Sequence, residues 1–284
     1  FLKVQDGCDY NCAFCTIPMA RGKSRSDTVS NVLRNAEELA AAGVQEIVLT
    51  GVNLGDFGKG PDGAGTTIGI NQREENFYEL VQALDEVEGI QRYRISSIEP
   101  NLLTNDIIRF VAQSRKFMPH FHIPLQSGSN SILAAMRRRY RRELYAERVQ
   151  LIKNLMPHCA IGVDVIVGFP GETDEYFQET FDFLHSLDIS YLHVFTYSER
   201  DNTHALQLKP VVPMEVRHQR NKTLRNLSYM KMQYFTAAHA GQQRKVLFEG
   251  SAKNNMMEGY TDNYIRISTP YRAEWVNQIV DWTV

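Results

Sequence analysis

The sequence has few cysteines, almost no net charge and no long apolar segment. Its 284 residues include four cysteines, and 31 basic residues nearly balance 33 acidic ones, for a formal net charge of −2. Without a run of about 18 apolar residues the sequence predicts no membrane-spanning helix, and its start lacks the basic-then-apolar order of a signal peptide. A near-neutral chain does not attract nucleic acid globally, so any RNA contact must come from local basic patches. We expect a cytoplasmic protein that contacts no membrane.

The four cysteines are too few for a disulfide framework in a chain of this length. Cys8, Cys12 and Cys15 lie within eight residues, and Cys159 stands apart. Clustered thiols fit a reducing compartment in which thiolates bind metal. The chain starts with the apolar residues 1–4 and without a methionine, so we expect it to be part of a longer protein.

Strand-like and helix-like segments alternate along most of the chain, and a hydrophobic content of 43% is enough to fill a large core. The predicted strands are 1–4, 46–50, 93–97, 121–125, 162–167 and 191–197. The predicted helices are 28–42, 76–88, 106–114, 132–137, 142–154, 174–185 and 213–240. Six strand–helix units predict a parallel sheet with helical crossovers, either an open doubly wound sheet or a barrel.

The pattern changes after the last long helix. Residues 245–249, 263–268 and 278–284 are short β-type runs between turns rich in glycine and asparagine. We therefore predict two domains, 1–240 and 241–284, of which the second is small, all-β and ends on a strand-like run at Val284, as an incomplete domain would. Residues 60–69 are predicted to be a flexible loop.

Candidate functional residues follow the carboxyl ends of five predicted strands, where both parallel architectures place function. They lie in the loops 8–15, 51–58, 96–100, 126–129 and 168–173. Their recurrence at the same end of the predicted sheet favours one shared pocket.

The C-x3-C-x2-C spacing of the first loop lets one short segment wrap three thiolates around a metal centre. Three ligands on a four-iron cluster leave one iron open to another molecule, whereas structural zinc is normally closed by four protein ligands. The alternative is a zinc site completed by Cys159 or by one of the eight histidines, although the chain offers no second short-spaced pair of ligands.

With the aromatic Phe14 before the last cysteine, this loop on the first of six strand–helix units resembles the radical S-adenosylmethionine (SAM) superfamily. The resemblance covers essentially the whole chain. Further stretches resemble the methylthiotransferases within it, at 17–22, 24–26, 122–129, 136–140, 164–173 and 197–200. The stretches 4–8, 49–53 and 96–100 most resemble the MtaB type, which modifies threonylcarbamoyladenosine in tRNA.

The resemblance implies a partial (β/α)6 radical SAM barrel followed by a small TRAM-like RNA-binding domain. It implies that Cys8, Cys12 and Cys15 hold a [4Fe–4S] cluster whose open iron binds SAM. The implied cofactor-binding residues are Phe14, Thr50, Gly51, Asn53, Ser96, Ser97, Glu99, Gln126, Arg138, Val167 and Gly168. We expect no catalytic residue beyond the three cluster ligands.

Several of these residues also have a plain structural explanation. Residues 51–53 and 168–172 read as tight turns, and Ser96 and Ser97 read as strand-end caps. Glu99 reads equally well as an exposed loop carboxylate.

Two features are candidates for tRNA contact: the basic run 137–142 and the aromatics of the terminal β segment. The candidate substrate-binding residues are Arg137, Arg139, Arg141, Arg142, Tyr260 and Tyr264. Arg138 faces either a phosphate or the SAM carboxylate, and Tyr271 is a third aromatic to consider. The alternatives are a solvated surface for the arginines and core packing for at least two of the tyrosines.

Members of the family carry a second [4Fe–4S] cluster on an amino-terminal domain, where it is involved in delivering sulfur. The cysteines for that cluster are absent from this chain. Cys159 cannot replace them because it stands alone at a strand start, where a buried thiol is expected. We therefore predict that this chain cleaves SAM without transferring sulfur.

The resemblance implies a methylthiotransferase that adds a methylthio group to C2 of N6-threonylcarbamoyladenosine at position 37 of tRNA. The implied partners are the tRNA anticodon stem-loop and an electron donor such as flavodoxin or ferredoxin, and we expect a monomer. One alternative is a related enzyme acting on isopentenyladenosine in tRNA or on a ribosomal-protein aspartate. Another is a non-catalytic, zinc-bound RNA-binding module.

Overall fold

The computed structural model describes residues 1–59 and 75–284, with residues 251–253 described by their backbone alone. The predicted flexible loop 60–69 lies outside the described residues. The strands are β1 Leu2–Lys3, β2 Gln5–Asp6, β3 Arg25–Ser26, β4 Glu46–Thr50, β5 Arg92–Ile95, β6 His120–His122, β7 Ala160–Val167, β8 Tyr191–Thr196, β9 Gln243–Lys253, β10 Met256–Thr261, β11 Arg266–Pro270 and β12 Ile279–Thr283. The α-helices are α1 Ile17–Arg21, α2 Val29–Ala41, α3 Phe77–Asp85, α4 Asn105–Gln113, α5 Asn130–Ala135, α6 Arg142–Leu155, α7 Asp174–Ser186 and α8 Met214–Ala238. Within this described part, no helix has the length and apolarity needed to cross a membrane.

A set of parallel strands runs in sequence order through the larger part of the molecule. β1 pairs with β4, β4 with β5, β6 with β7 and β7 with β8. The two halves join where Tyr93 of β5 bridges to Phe117, just before β6. Right-handed crossovers between strands in sequence order place the helices on one face, and such a sheet curls into a barrel. The predicted partial (β/α)6 barrel is therefore confirmed.

Side-chain caps begin four of the helices around the barrel. Thr28, Asn76, Thr104 and Thr173 each precede a helix, and each side chain accepts a hydrogen bond from the backbone N–H three residues further on. These bonds satisfy amides that have no partner inside the helix. Because such caps are visible in sequence, the predicted starts of these helices agree closely with the structure.

Among the described strands, the last barrel strand β8 pairs with β7 alone, and side chains of α8 cover its other edge. The Ser228 hydroxyl accepts from the Leu192 N–H at 2.8 Å and donates to the Leu192 carbonyl at 3.0 Å. The Asn221 amide donates to the Val194 carbonyl at 3.1 Å. Unpaired strand edges attract other strands, so these bonds both protect the edge and fix α8 beside it.

After α8 the chain forms an antiparallel sheet in the order β11, β10, β9, β12. The strand β10 was not predicted, because the stretch around it is rich in turn-forming residues. Asn254 and Asn255 both have positive φ, 54° and 58°, which is the geometry of the tight hairpin turn joining β9 to β10. A small all-β segment is thus present after the barrel, as predicted.

This sheet packs on the amino-terminal end of the barrel. Arg94 of β5 donates to the Thr261 carbonyl at 2.7 Å, and Arg92 donates to the Lys245 carbonyl at 2.6 Å. Glu46, at the start of β4, accepts from Arg94 at 2.9 Å. Both arginines are buried, so the carboxylate and the carbonyls replace the water that their guanidinium groups lose.

Candidate functional site

The cysteine loop leaves the barrel directly after β2. Gly7 has a φ of +69°, and a Cβ there would lie 1.9 Å from the Lys23 carbonyl oxygen, so the loop requires glycine before Cys8. The Tyr10 N–H donates to Cys8 Sγ and the Ile17 N–H to Cys15 Sγ, each at 3.4 Å. Backbone N–H groups directed at sulfur stabilise the negative charge that a metal-bound thiolate carries.

The spacing of the three sulfurs bears on the kind of metal centre they could hold. Zinc at about 2.3 Å from each sulfur in tetrahedral geometry would need sulfurs about 3.8 Å apart. Within residues 1–59 and 75–284, the sulfur atoms of Cys8, Cys12 and Cys15 do not all lie within 4.8 Å of one another. Burial raises the pKa of Cys8 to about 11 and also raises that of Cys12. The three sulfurs are therefore farther apart than the ligands of one bound zinc ion, and a positively charged metal centre of either kind would offset the cost of ionising the buried thiols.

Gln5 connects the cysteine loop to the loop after β4. Its amide donates to the Gly7 carbonyl at 2.8 Å, and its carbonyl accepts from the Asn53 N–H at 2.8 Å. The side chain of Asn53 is 3% exposed, yet neither its amide nitrogen nor its oxygen has a partner among the described residues. Buried polar atoms in proteins are nearly always paired, so this amide is arranged for a ligand. Thr50 and Gly51 precede Asn53 at the end of β4, as predicted. The role of Gln5 was not predicted.

Arg138 joins three of the strand ends through one buried guanidinium group. It pairs with Glu99, donates to Cys12 Sγ at 3.1 Å and donates through Nε to the Tyr140 hydroxyl at 3.2 Å. The Tyr140 hydroxyl donates in turn to the Leu125 carbonyl at 2.9 Å. Burial raises the pKa of Glu99, and the charge of Arg138 opposes that rise. Glu99 is thus a half-buried ion-pair partner beside the cysteines and not an exposed loop carboxylate.

A second clamp holds the cysteine loop from outside. The Arg139 guanidinium lies 3.9 Å from the centre of the Tyr10 ring and donates to the Asp9 carbonyl at 3.0 Å. The Asn101 amide donates to the Tyr10 hydroxyl at 2.7 Å. Arg139, predicted to contact tRNA, is already used to fix the loop, and sequence reasoning did not single out Asn101.

Aromatic side chains connect the cysteine loop to the loop after β7. Phe14 meets the edge of Phe169 at a centroid distance of 6.3 Å, and Phe169 meets Tyr197 at 5.5 Å. Gly168 has a φ of +76°, and a Cβ there would lie 2.3 Å from the Arg217 side chain. The side chain of Val167 is fully buried in the main core. Any contact of Val167 with a cofactor is therefore confined to its backbone.

Gln126 occupies a strained backbone position. Its φ is +69°, in the left-handed region that residues other than glycine rarely adopt, and its N–H donates to the Asp164 carbonyl at 2.8 Å. Such strain costs about 1–3 kcal/mol and persists where the surroundings impose it, often at functional sites. The cofactor contact of Gln126 stays a prediction.

The barrel interior contains a cavity of about 310 Å³ that Ser96 and Ser97 line at the carboxyl end of β5. His122 Nε2 lies 3.0 Å from Asp164 Oδ1, and His193 lies beside them. No role was predicted for His122, Asp164 or His193 from the sequence. The two-residue alternation of β6, β7 and β8 directs them inward together and was the available signal.

The remaining arginines of the basic run point in different directions. Arg142 donates to the Gly128 carbonyl at 3.1 Å and so supports the loop after β6. Arg141 is exposed and pairs loosely with Glu143 at 3.4 Å. Arg137 is exposed and has a positive φ of 58°. The run is therefore not one surface, and Arg137 and Arg141 are the two members free to meet RNA.

The two candidate tyrosines lie at the opposite end of the barrel from the cysteines. The Tyr264 ring stacks on His120 at a centroid distance of 3.9 Å and on Tyr260 at 4.7 Å. Parallel rings at these distances occupy both faces of Tyr264. The structure therefore gives Tyr264 the packing role that was the alternative to base stacking. Tyr260 and Tyr264 line the same cavity as Ser96 and Ser97, at its end away from the cysteines.

Residues 2–184 match the family model of the radical SAM superfamily. The threonylcarbamoyladenosine tRNA methylthiotransferase MtaB of Bacillus subtilis (strain 168) is 38% identical over 284 residues, which span 98% of this chain and 60% of that protein. The tRNA-2-methylthio-N(6)-dimethylallyladenosine synthase of Clostridium tetani is 35% identical over 283 residues, or 99% and 60% of the two chains. The chain thus spans about three fifths of the length of these curated relatives.

Solved structures show the same fold at low identity. The radical SAM methyltransferase TsrM from Kitasatospora setae has a TM-score of 0.54 and 16% identity, over 69% of this chain and 36% of that one. Coproporphyrinogen III oxidase (HemN) from Escherichia coli has a TM-score of 0.53 and 14% identity, over 84% and 52%. These similarities support the fold and do not identify the substrate.

Proposed function

This chain belongs to the radical SAM superfamily, and on that premise we propose that it is the catalytic part of a tRNA methylthiotransferase. The observation that carries the proposal is the convergence at the carboxyl end of the barrel. Three thiols, the Arg138–Glu99 pair and the amide of Asn53, which has no partner among the described residues, meet there. A structural zinc site needs four protein ligands and neither a buried ion pair nor an unpartnered amide beside them, so these groups favour an enzyme.

When bound, a [4Fe–4S] cluster and SAM supply one-electron chemistry that activates unreactive C–H bonds. Cys8, Cys12 and Cys15 hold three irons in this proposal, and Arg138 directs an N–H at the sulfur of Cys12. Asn53 offers both a donor and an acceptor to the methionine part of SAM. Such prearranged donors lower the cost of binding charged groups in a site shielded from water.

For the substrate we propose N6-threonylcarbamoyladenosine at position 37 of tRNA. Relatives named for threonylcarbamoyladenosine are 36–40% identical to this chain, and those named for dimethylallyladenosine are 31–35% identical. The proposed partners are the tRNA anticodon stem-loop and an electron donor such as flavodoxin or ferredoxin, in the cytoplasm. Because the chain spans about 60% of its relatives, sulfur insertion is assigned to the whole protein and SAM cleavage to this chain.

Anaerobic reconstitution of this 284-residue chain tests the cluster. We expect about four irons per chain, and formation of 5′-deoxyadenosine from SAM after reduction. Cys12→Ala should abolish both, whereas the matched variant Cys159→Ala should keep both because that thiol is fully buried elsewhere in the core. A colourless protein that binds only zinc and leaves SAM intact would overturn the proposal.

The modified nucleosides of tRNA test the substrate. Mass spectrometry of tRNA from cells lacking the gene should show loss of the methylthio group from threonylcarbamoyladenosine and none from isopentenyladenosine. The reverse pattern would replace the proposed substrate by the alternative while leaving the enzyme class intact.

A further inference from the structure

A cationic cleft runs along α8, outside the cofactor site. A cavity of about 480 Å³ opens between this helix and the edge of β8 that faces away from β7, beside Thr196, the last residue of that strand. The residues that line it are Thr196, His218, Asn221, Lys222, Arg225, Asn226 and Tyr229. We refer to this surface, defined by these residues, as the α8 cleft.

The cleft is one face of a regular helix. Its members recur three or four residues apart from His218 to Tyr229, which is the spacing that places side chains above one another. The Asn221 amide also donates to Thr196 Oγ1 at 3.3 Å, so the helix and the strand edge are held together at the cleft. The surface is therefore built by fixed backbone elements and not by a loop.

The cationic side chains on the two faces of α8 differ in whether they have an acidic partner. On the inward face, Arg217 pairs with Glu199 at 2.7 Å and Arg220 pairs with Glu172 at 2.6 Å. On the outward face, Lys222 and Arg225 have no ionic partner within residues 1–59 and 75–284. The protein thus neutralises the cations that support its fold and leaves two exposed cations side by side.

The side chains that line the cleft suit a polyanion that also carries planar rings. His218 and Arg225 are seven residues apart, about 10 Å along the helix, which spans two to three consecutive phosphates of one strand. The ring of Tyr229 is 62% exposed and offers a face on which a base can stack. Asn221 and Asn226 add amide groups that bond to phosphate or ribose oxygens.

The location of the cleft connects it to the cofactor site. Tyr197, next to Thr196, donates its N–H to the Val167 carbonyl at 2.9 Å, and the loop beginning at Gly168 follows directly. The cleft therefore flanks the carboxyl end of the barrel on the side of β8 that faces away from β7. We infer that the α8 cleft binds the sugar–phosphate backbone of the RNA substrate. This inference rests on the proposed function and adds a surface to it.

A paired set of variants tests the cleft on this chain. We expect Lys222→Gln combined with Arg225→Gln to weaken binding of an unmodified tRNA transcript about tenfold at 50 mM salt. The slope of log affinity against log salt should fall by about 1.5, the value for two lost phosphate contacts. The control, Arg34→Gln with Arg109→Gln, removes the same charge from exposed positions on α2 and α4 and should leave affinity and slope unchanged.

Further arms separate the possible results. Tyr229→Ala should lower tRNA affinity without changing the salt slope, because stacking releases no counterions. Equal slopes for the double variant and the original chain would overturn the inference. The inference would also be overturned if the double variant bound tRNA normally and lost only tripolyphosphate binding, because the cleft would then be a site for small anions. SAM cleavage is measured in parallel. If the original chain does not cleave SAM, the proposed function fails, and the tRNA-binding data still show whether the α8 cleft binds RNA.

Discussion

Each end of the barrel contains a buried arginine–glutamate pair, and the two pairs have different neighbours. At the carboxyl end, Arg138 pairs with Glu99 and directs its next donor at Cys12 Sγ. At the amino end, Arg94 pairs with Glu46 and directs its other donors at backbone carbonyls of the terminal sheet. In both places the carboxylate offsets the desolvation of the guanidinium group, and the remaining donors determine its use. The first pair therefore belongs to the cofactor site, and the second attaches the terminal sheet to the barrel.

The two ends differ also in what packs at them. At the carboxyl end the amide of Asn53 is buried without a hydrogen-bond partner among the described residues. At the amino end buried atoms of Glu46, His120 and Asp262 also lack a hydrogen-bond partner there, but stacked rings of Tyr264 and His120 close this end. The contrast therefore rests on the thiols at one end and the stacked rings at the other, and not on the number of unpaired polar atoms.

The largest expected effect comes from breaking the carboxyl-end pair. Arg138→Met should lower SAM cleavage about 100-fold, because a buried charged donor is lost and Glu99 is left unpaired. Adding Glu99→Gln removes the unpaired charge and should restore the melting temperature without restoring SAM cleavage. A double variant that cleaves SAM at the original rate would mean that this pair is as structural as the other one.

Breaking the amino-end pair should affect stability and not chemistry. Arg94→Met leaves Glu46 and two carbonyls without their donor and should cost about 3 kcal/mol in docking of the terminal sheet. Limited proteolysis should then cut first between α8 and β9, while iron content and SAM cleavage per folded chain stay unchanged. If SAM cleavage falls as much as in Arg138→Met, the two ends are not independent.

The smallest effect concerns pH and the closed end. Burial, with help from the nearby charges of Arg94, His122 and His193, holds the pKa of His120 well below its usual range. Below about pH 6.5 the unfolded chain binds a proton that the folded chain does not, so stability is lost as pH falls. His120 should account for up to about 2 kcal/mol of the loss between pH 7 and pH 5.

Urea denaturation at the two pH values measures this contribution. His120→Phe should flatten the pH dependence, and His185→Phe, at an exposed histidine, should not. An unchanged pH dependence in His120→Phe would show that the closed end admits water and a proton, and the contrast between the ends would weaken.

Much of the fold was predictable because its signals are local. Side-chain caps such as Thr28 and Thr173 mark helix starts, and the apolar run of β7 marks a strand buried on both faces. The strand β10 was missed because Asn254 and Asn255 form a turn so short that the two flanking strands read as one irregular stretch. Local chemistry predicts an element well and the pairing of short strands poorly.

The candidate site was predictable where spacing alone defines a ligand set. Residues such as Gln5, Asn101 and Asp164 were missed because their importance lies in contacts with segments far away in the chain. Gln5, for example, reaches Asn53 across 48 positions. The basic run was overestimated for the same reason: Arg139 and Arg142 look alike in sequence, and each is fixed by a different partner in the fold.

The sequence by itself determined the order of strands and helices and the three clustered thiols, because periodicity, caps and short spacings are properties of neighbouring residues. The tertiary structure alone decided which of many arginines pair with acids, which tyrosines pack against the barrel, and which cations of α8 remain exposed. Charged and aromatic side chains take their roles from desolvation and from distant partners, and only the folded chain brings those together.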